Sequence, residues 1–281
     1  MEEIYNVWRY EVNDTLYTDE TIASITASNG SGKNFRQDYL DIVRSIPGLG
    51  IHPNIIPRTK KISEIKTDDE KNPALLFNME AAYENGLRSK GVVMDNSTLL
   101  CILVVLQKYD DITTLDLADS QLTNQSINIL AKYLPETSIT TLNLDYNKNI
   151  NDNCENLISA THGSKLVSIS LRGCNLIDDT IKRIVEKLWI NGSLNELNLF
   201  NNKISDAGGH LLSRMLRYNH SIKKLYLGSN HMSSSSFIKF AIAVSCEYGP
   251  ISSEEKEERN KVWKLQEKNP FTGGDAGGGK K

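Results

Sequence analysis

Long hydrophobic runs are missing from this chain. The longest uninterrupted apolar stretch covers residues 99–106, far short of the roughly 20 residues that a membrane-spanning helix needs, so no membrane partner is expected. Cysteine is sparse and scattered: Cys101, Cys154, Cys174 and Cys246 form no C-x-x-C pair, which removes the usual sequence case for zinc or dithiol exchange. Cys101, inside the apolar run, and Cys174, at a repeated core position, read as small buried hydrophobes of a reducing compartment. Charge of one sign is lacking too, because 32 Lys+Arg face 35 Asp+Glu for a formal net charge of -3. Nucleic acid is therefore not the expected partner. The start, Met1-Glu-Glu-Ile-Tyr5, has neither the apolar centre of a secretory signal nor the arginines of a transit peptide, and a cytoplasmic location is expected.

Catalytic signatures are equally scarce. The five histidines show no metal-ligand spacing; His210 and His220 stand ten apart, unlike the i, i+4 pair of a zinc helix. Ala27-Ser-Asn-Gly30-Ser-Gly32-Lys33-Asn34 echoes a phosphate-binding loop but has Ala27 in place of the first glycine and Asn34 in place of the magnesium-binding hydroxyl. No Gly-x-Ser-x-Gly elbow and no opposed carboxylate pair is found. The expectation is a protein that is not an enzyme, with no cofactor, no metal and no small-molecule substrate.

What is present is a repeated phrase. Leu115-Asp-Leu117 is followed by Ser120 and Leu122, and Leu142-Asn-Leu144 by Asn147 and Ile150. Ile169-Ser-Leu171 precedes Cys174 and Leu176, Leu197-Asn-Leu199 precedes Asn202 and Ile204, and Leu225-Tyr-Leu227 precedes Asn230 and Met232. The copies step by 27, 27, 28 and 28 residues, a regularity that predicts a solenoid rather than a globule with a pocket. In each copy the two apolar residues of Leu-x-Leu share one face of a strand and the residue between them faces out. The Asn, Cys or Ser that follows is placed to bond backbone groups of the turn, best done by Asn147, Asn202 and Asn230 and more weakly by Ser120 and Cys174. The second copy carries one extra residue before Ile150, which predicts a bulged turn.

The other half of each repeat changes period. Ile181, Ile184, Val185 and Leu188 lie on one stripe of a helix. Asp178, Asp206 with Ser205 before it, Thr123, Asp152 and the serines from Ser233 are expected to start such helices. A strand and a helix per repeat, with strands spaced more closely than helices, give an α/β, right-handed horseshoe with the strands on its concave side.

The pattern Leu-x-x-Leu-x-Leu-x-x-Asn/Cys-x-Leu followed by a full helix resembles the leucine-rich repeats of the ribonuclease-inhibitor-like class over residues 112–244. About five repeats of 27–28 residues are expected, with an N-terminal cap. The resemblance extends to cytosolic repeat proteins of similar size. These include leucine-rich subunits of ciliary and flagellar assemblies, such as those of the nexin-dynein regulatory complex, and tropomodulin-like actin caps. It implies a non-enzymatic protein–protein interaction scaffold in a large cytoskeletal complex, specifically a ciliary or flagellar axoneme. The Ran GTPase activator and ribonuclease inhibitor of the same repeat class imply an alternative, a GTPase regulator or enzyme inhibitor.

Residues 1–74 form an accessory region, with one amphipathic helix over 35–46 (Tyr39, Leu40, Ile42, Val43, Ile46) and an extended arm at Pro47, Pro53 and Pro57. Residues 75–111 are a degenerate capping repeat, with a damaged strand at Phe77-Asn-Met79 and Asn85-Gly-Leu87 and the helix half at 96–106. Residues 112–248 are the repeats. In 249–281, Pro250 breaks the chain, Ser252-Ser253 caps a charged helix over 254–268 with Val262, Trp263 and Leu265 that is expected either to cap the last repeat or to grip another protein, and a Gly/Lys tail is expected to be disordered.

On the expected concave face, the strand residues pointing out include Arg172, Phe200 and Tyr226, with Tyr146 just past its strand. Aromatic and arginine side chains bury much area for little lost rotamer freedom. Tyr146, Arg172, Phe200 and Tyr226, together with Trp263 on the charged helix, are the candidate partner-binding residues.

Overall fold

The computed structural model describes residues 16–28, 35–49, 86–88, 91–151, 153–245 and 257. Strands β1 (Gly86–Arg88), β2 (Thr114–Asp116), β3 (Thr141–Asn143), β4 (Ser168–Ser170), β5 (Glu196–Asn198) and β6 (Lys224–Tyr226) form one parallel sheet in sequence order. The pairing register aligns Leu87, Leu115, Leu142, Ile169, Leu197 and Leu225 in one column. The Leu-x-Leu phrase thus sets the sheet register directly, because a slip of one residue would turn every leucine outward. Phe77-Asn-Met79, Asp152 and residues 249–281 other than Glu257 lie outside the described residues.

Each strand is followed by a helix: α3 (Asn96–Leu106), α4 (Asn124–Tyr133), α5 (Cys154–Ala160), α6 (Asp178–Leu188), α7 (Asp206–Leu216) and α8 (Ser234–Val244). These helices pack in a row, each on the next. The alternation makes a leucine-rich-repeat-like α/β solenoid whose core lies between the sheet and the row of helices. Leu115, Leu142, Ile169 and Leu197 are fully buried there, as are Leu117, Leu144 and Leu199.

Between repeats the trailing asparagines form a ladder. Asn147 donates from Nδ2 to the carbonyls of Leu117 and Leu144, and its Oδ1 accepts from the amides of Ser120 and Leu122. Asn202 repeats this toward Leu171, Leu199 and Leu176, and Asn230 toward Leu199, Leu227 and Ile204. Cys174 fills the position with a weaker thiol bond to the Leu144 carbonyl, 3.2 Å away. Its burial pushes the thiol pKa up to about 12, so it remains protonated and serves as packing.

A second ladder runs along the turns that leave the helices. Asn191 donates to the Ile158 carbonyl and Thr161 hydroxyl and accepts from the amides of Ser193 and Leu194. Asn219 donates to the carbonyls of Leu188 and Asn191 and accepts from Ser221 and Ile222. The helix starts follow expectation at Thr123, Ser205 and Ser233, whose hydroxyls accept from backbone amides of the first turn. Asp178 opens α6 as expected, as its first residue. The N-cap of α6 is Ile177, and the Asp178 carboxylate instead reaches the following repeat, accepting from the amides of Ser205 and Gly208.

Two helices outside the repeats close the N-terminal end. The sequence reading missed α1 (Asp19–Thr26), which is capped by Thr18, whereas α2 (Phe35–Ser45) falls where amphipathic spacing placed a helix. Both pack on α3, and every residue of α3 is buried. That explains its sequence, since a helix apolar on all sides needs cover on all sides. Phe35 meets the Tyr109 ring edge-on at 5.5 Å, and the Tyr109 hydroxyl donates to the buried Asp38 carboxylate at 2.8 Å.

Candidate protein-binding face

The outward residues of the sheet divide into those tied to the backbone and those that are not. Asp116, Asn143 and Asn198 occupy equivalent strand positions. Each accepts from the amide two residues on, at Ala118, Asp145 and Phe200 respectively. That short local bond explains why Asp or Asn recurs there. Tyr226 holds the same position in β6 and has a side chain that makes no such bond; it is 43% exposed.

Just beyond the strands, Asp119, Tyr146, Gly173, Asn201 and Ser229 hold equivalent positions, and all have positive φ. Glycine, asparagine and aspartate suit this left-handed backbone, whereas an aromatic side chain is strained in it. Tyr146, at φ 61, is the costly choice. Its ring covers Gly173 so closely that a Cβ there would lie 2.6 Å from Cδ1 of the ring. Phe200 covers Gly228 in the same way, at 2.7 Å.

Between these rings lies Arg172. Its guanidinium carbon is 5.6 Å from the Tyr146 ring centroid and 4.8 Å from that of Phe200. Both distances fall within cation–π range, worth about 0.5–1 kcal/mol per contact at an exposed site. The Asp145 carboxylate fixes the base of the arginine by accepting from the Arg172 amide at 2.9 Å and from the Ser170 hydroxyl. Three consecutive repeats thus contribute to one aromatic–cation–aromatic stack. On the neighbouring strands, Lys224 pairs with Glu196 at 3.1 Å, and that carboxylate raises the lysine pKa.

Of the expected contact residues, Tyr146, Arg172 and Phe200 come together. Tyr226 stands apart on β6, paired in register with Asn198. Trp263 lies outside the described residues, as do 29–34 of the glycine-lysine loop. The sequence reading found the aromatics and the arginine from their column but not the strained backbone of Tyr146. The repeat phase held that signal, because Tyr146 aligns with Gly173 and Asn201. Among the described residues, no group of three or more His, Cys, Asp or Glu is placed to hold a metal ion. Also among them, no helix is long and apolar enough to cross a membrane.

No protein-family model matches the chain, and no curated protein matches it. Among the solved structures that resemble it, two illustrate a likeness of low similarity. Leiomodin-1 actin-binding site 2 has 14% identity and a TM-score of 0.33, over 66% of this chain and 88% of that one. The tropomodulin C-terminal domain of Caenorhabditis elegans has 11% identity and a TM-score of 0.34, over 64% of this chain and 89% of that one. Neither likeness is strong enough to assign this chain a partner.

Proposed function

We propose that this protein is a non-enzymatic, cytoplasmic interaction scaffold that binds another protein through its sheet face. The observation that carries the reading is Arg172 held between Tyr146 and Phe200. The stack is pre-organised, so binding would order few additional rotamers there. It is an exposed anchor of the residue types that dominate interface energies, and it is built at the expense of backbone strain at Tyr146. Tyr226, without the backbone bond that occupies Asp116, Asn143 and Asn198, extends the same surface.

In this proposal the repeats are of the right-handed, ribonuclease-inhibitor-like class, and the partner belongs to a cytoskeletal assembly, specifically a ciliary or flagellar axoneme. The support for that placement is the resemblance of the repeat pattern to leucine-rich subunits of such assemblies. The alternative of a GTPase regulator is less favoured, because Arg172 is already engaged by two rings of its own chain.

The test is cosedimentation of the full chain with demembranated axonemes and, separately, with actin filaments. Binding to axonemes is expected, weakened by about tenfold or more on Phe200→Ala or Arg172→Ala, as truncating a buried anchor does. Equal binding by wild type and both variants would remove the face from the proposal. Failure to bind axonemes would remove the ciliary placement, and binding to actin filaments alone would redirect it.

A further inference from the structure

The repeat phase assigns each helix position a neighbour. A Cβ on Gly209 of α7 would lie 2.7 Å from Ser236 Oγ of α8, so that position faces the following helix. Its counterpart in α6, one 28-residue step earlier, is Ile181, fully buried, and its counterpart in α8 is Phe237. Ser213 and Val185, also buried, correspond in the same way to Ala241, which is exposed. Phe237 and Ala241 therefore lie on the side that a next helix covers in earlier repeats.

The flanking positions depart from the pattern as well. Lys182 and Glu186 of α6, and His210 and Arg214 of α7, become Ile238 and Ile242 in α8. Phe237, Ile238 and Ile242 are 59%, 60% and 52% exposed. An apolar stripe that replaces a charged one signals cover rather than solvent.

We propose that residues 254–268 of this same chain form the covering helix, laying Val262, Trp263 and Leu265 along the Phe237–Ile242 stripe of α8. This goes beyond the sheet-face reading and assigns Trp263 to an internal contact instead of a partner. Three observations select this occupant. The chain leaves α8 at the open end itself, and residues 246–253 reach up to about 27 Å when extended, enough to return alongside α8. At 1.5 Å per residue, Trp263 lies about 14 Å into such a helix and Phe237 about 12 Å back from Ser245, so an antiparallel return brings the two level. Glu257, the described residue of this segment, is helical and exposed, as its charged outer side requires. The opposite end of the solenoid is closed in the same manner by helices of its own chain. Tethering at this length also supplies an effective concentration in the millimolar range, which favours the internal contact over a second molecule.

The test is the full chain with Trp8→Phe and Trp189→Phe, leaving Trp263 as its one tryptophan, at a dilution where sedimentation gives a monomer. Blue-shifted emission is expected, with acrylamide quenching about fivefold weaker than for N-acetyl-tryptophanamide, as a docked rather than frayed segment gives. Phe237→Asp should return both to the free values. A second measurement guards against misfolding of that variant: in the otherwise wild-type chain, Val262→Ser with Leu265→Ser should speed amide hydrogen exchange in α8 by about tenfold. Freely quenched Trp263 in the monomer would overturn the proposal. So would shielding that appears only when a dimer forms, or α8 exchange unchanged by the double substitution.

Discussion

The two ends of the solenoid use the same repeat chemistry and arrive at opposite surfaces. At the N-terminal end, α1 and α2 cover α3 so completely that even its polar residues are buried. At the C-terminal end, Leu225, Leu227, Met232 and Phe240 pack only partly against the core, although the matching residues one repeat earlier, Leu197, Leu199, Ile204 and Leu212, are fully buried. Burial of a repeat leucine is therefore a property of its neighbours. In a quasi-one-dimensional fold, stability is a sum of repeat and interface terms, and an end lacks one interface.

The largest effect expected from this contrast comes from matched truncations. Leu103→Ala in α3 should cost about 3–5 kcal/mol, because a fully enclosed site relaxes poorly around the cavity, while Leu225→Ala in β6 should cost about 1–2. Urea denaturation of the two variants measures the gap, and equal losses would break the comparison. Next come the asparagines. Asn202→Ala leaves buried carbonyls and an amide unpaired and should cost about 2–3 kcal/mol, whereas Asn230→Ala exposes similar groups to water and should cost about 1. A larger loss at Asn230 would show that cover extends beyond α8 to the strand and turn of the last repeat.

A smaller effect, about 1–1.5 kcal/mol, is expected for Tyr109→Phe, which removes the bond to Asp38 that ties α2 to the N-terminal end. Thermal melts should show it, and no change would mean that the apolar contacts of Phe35, Tyr39 and Val43 alone hold that cap. The smallest concerns acid. The hydroxyls of Ser233 and Ser236 and the Ser233 amide hold Asp206 at a pKa of about 2, below its usual 3.8. A depressed carboxylate stabilises the fold above its unfolded pKa and ceases to do so as pH falls through the folded one. Asp206→Asn should therefore flatten the loss of stability between pH 4 and 2. An unchanged acid profile would remove this brace between α7 and α8.

Much of the core and the sheet register could be read from the chain, because both follow from spacing. Leu-x-Leu with period 2 fixes which side of each strand is inside, and Asn147, Asn202 and Asn230 announced the turns they satisfy. The second ladder was missed although Asn191-Gly-Ser-Leu194 and Asn219-His-Ser-Ile222 stand 28 residues apart, since Asn and Ser in turns are too common to draw notice. The partners of the Asp178 carboxylate were hidden for a related reason. An acidic residue at a helix start reads as its cap, and only the packed neighbour showed the carboxylate bridging to Ser205. In the candidate face, the column containing Arg172 and Phe200 was visible in sequence, but the separation of Tyr226 from the stack was not.

By itself the sequence determined the strand–helix alternation, the register and the identity of the core, because each depends on local periodicity. Tertiary structure alone decided which identical-looking leucines are sealed, that Arg172 lies between two rings, and that Tyr146 takes a left-handed backbone. Those depend on what the next repeat places alongside, and distances across repeats are not written in any one of them.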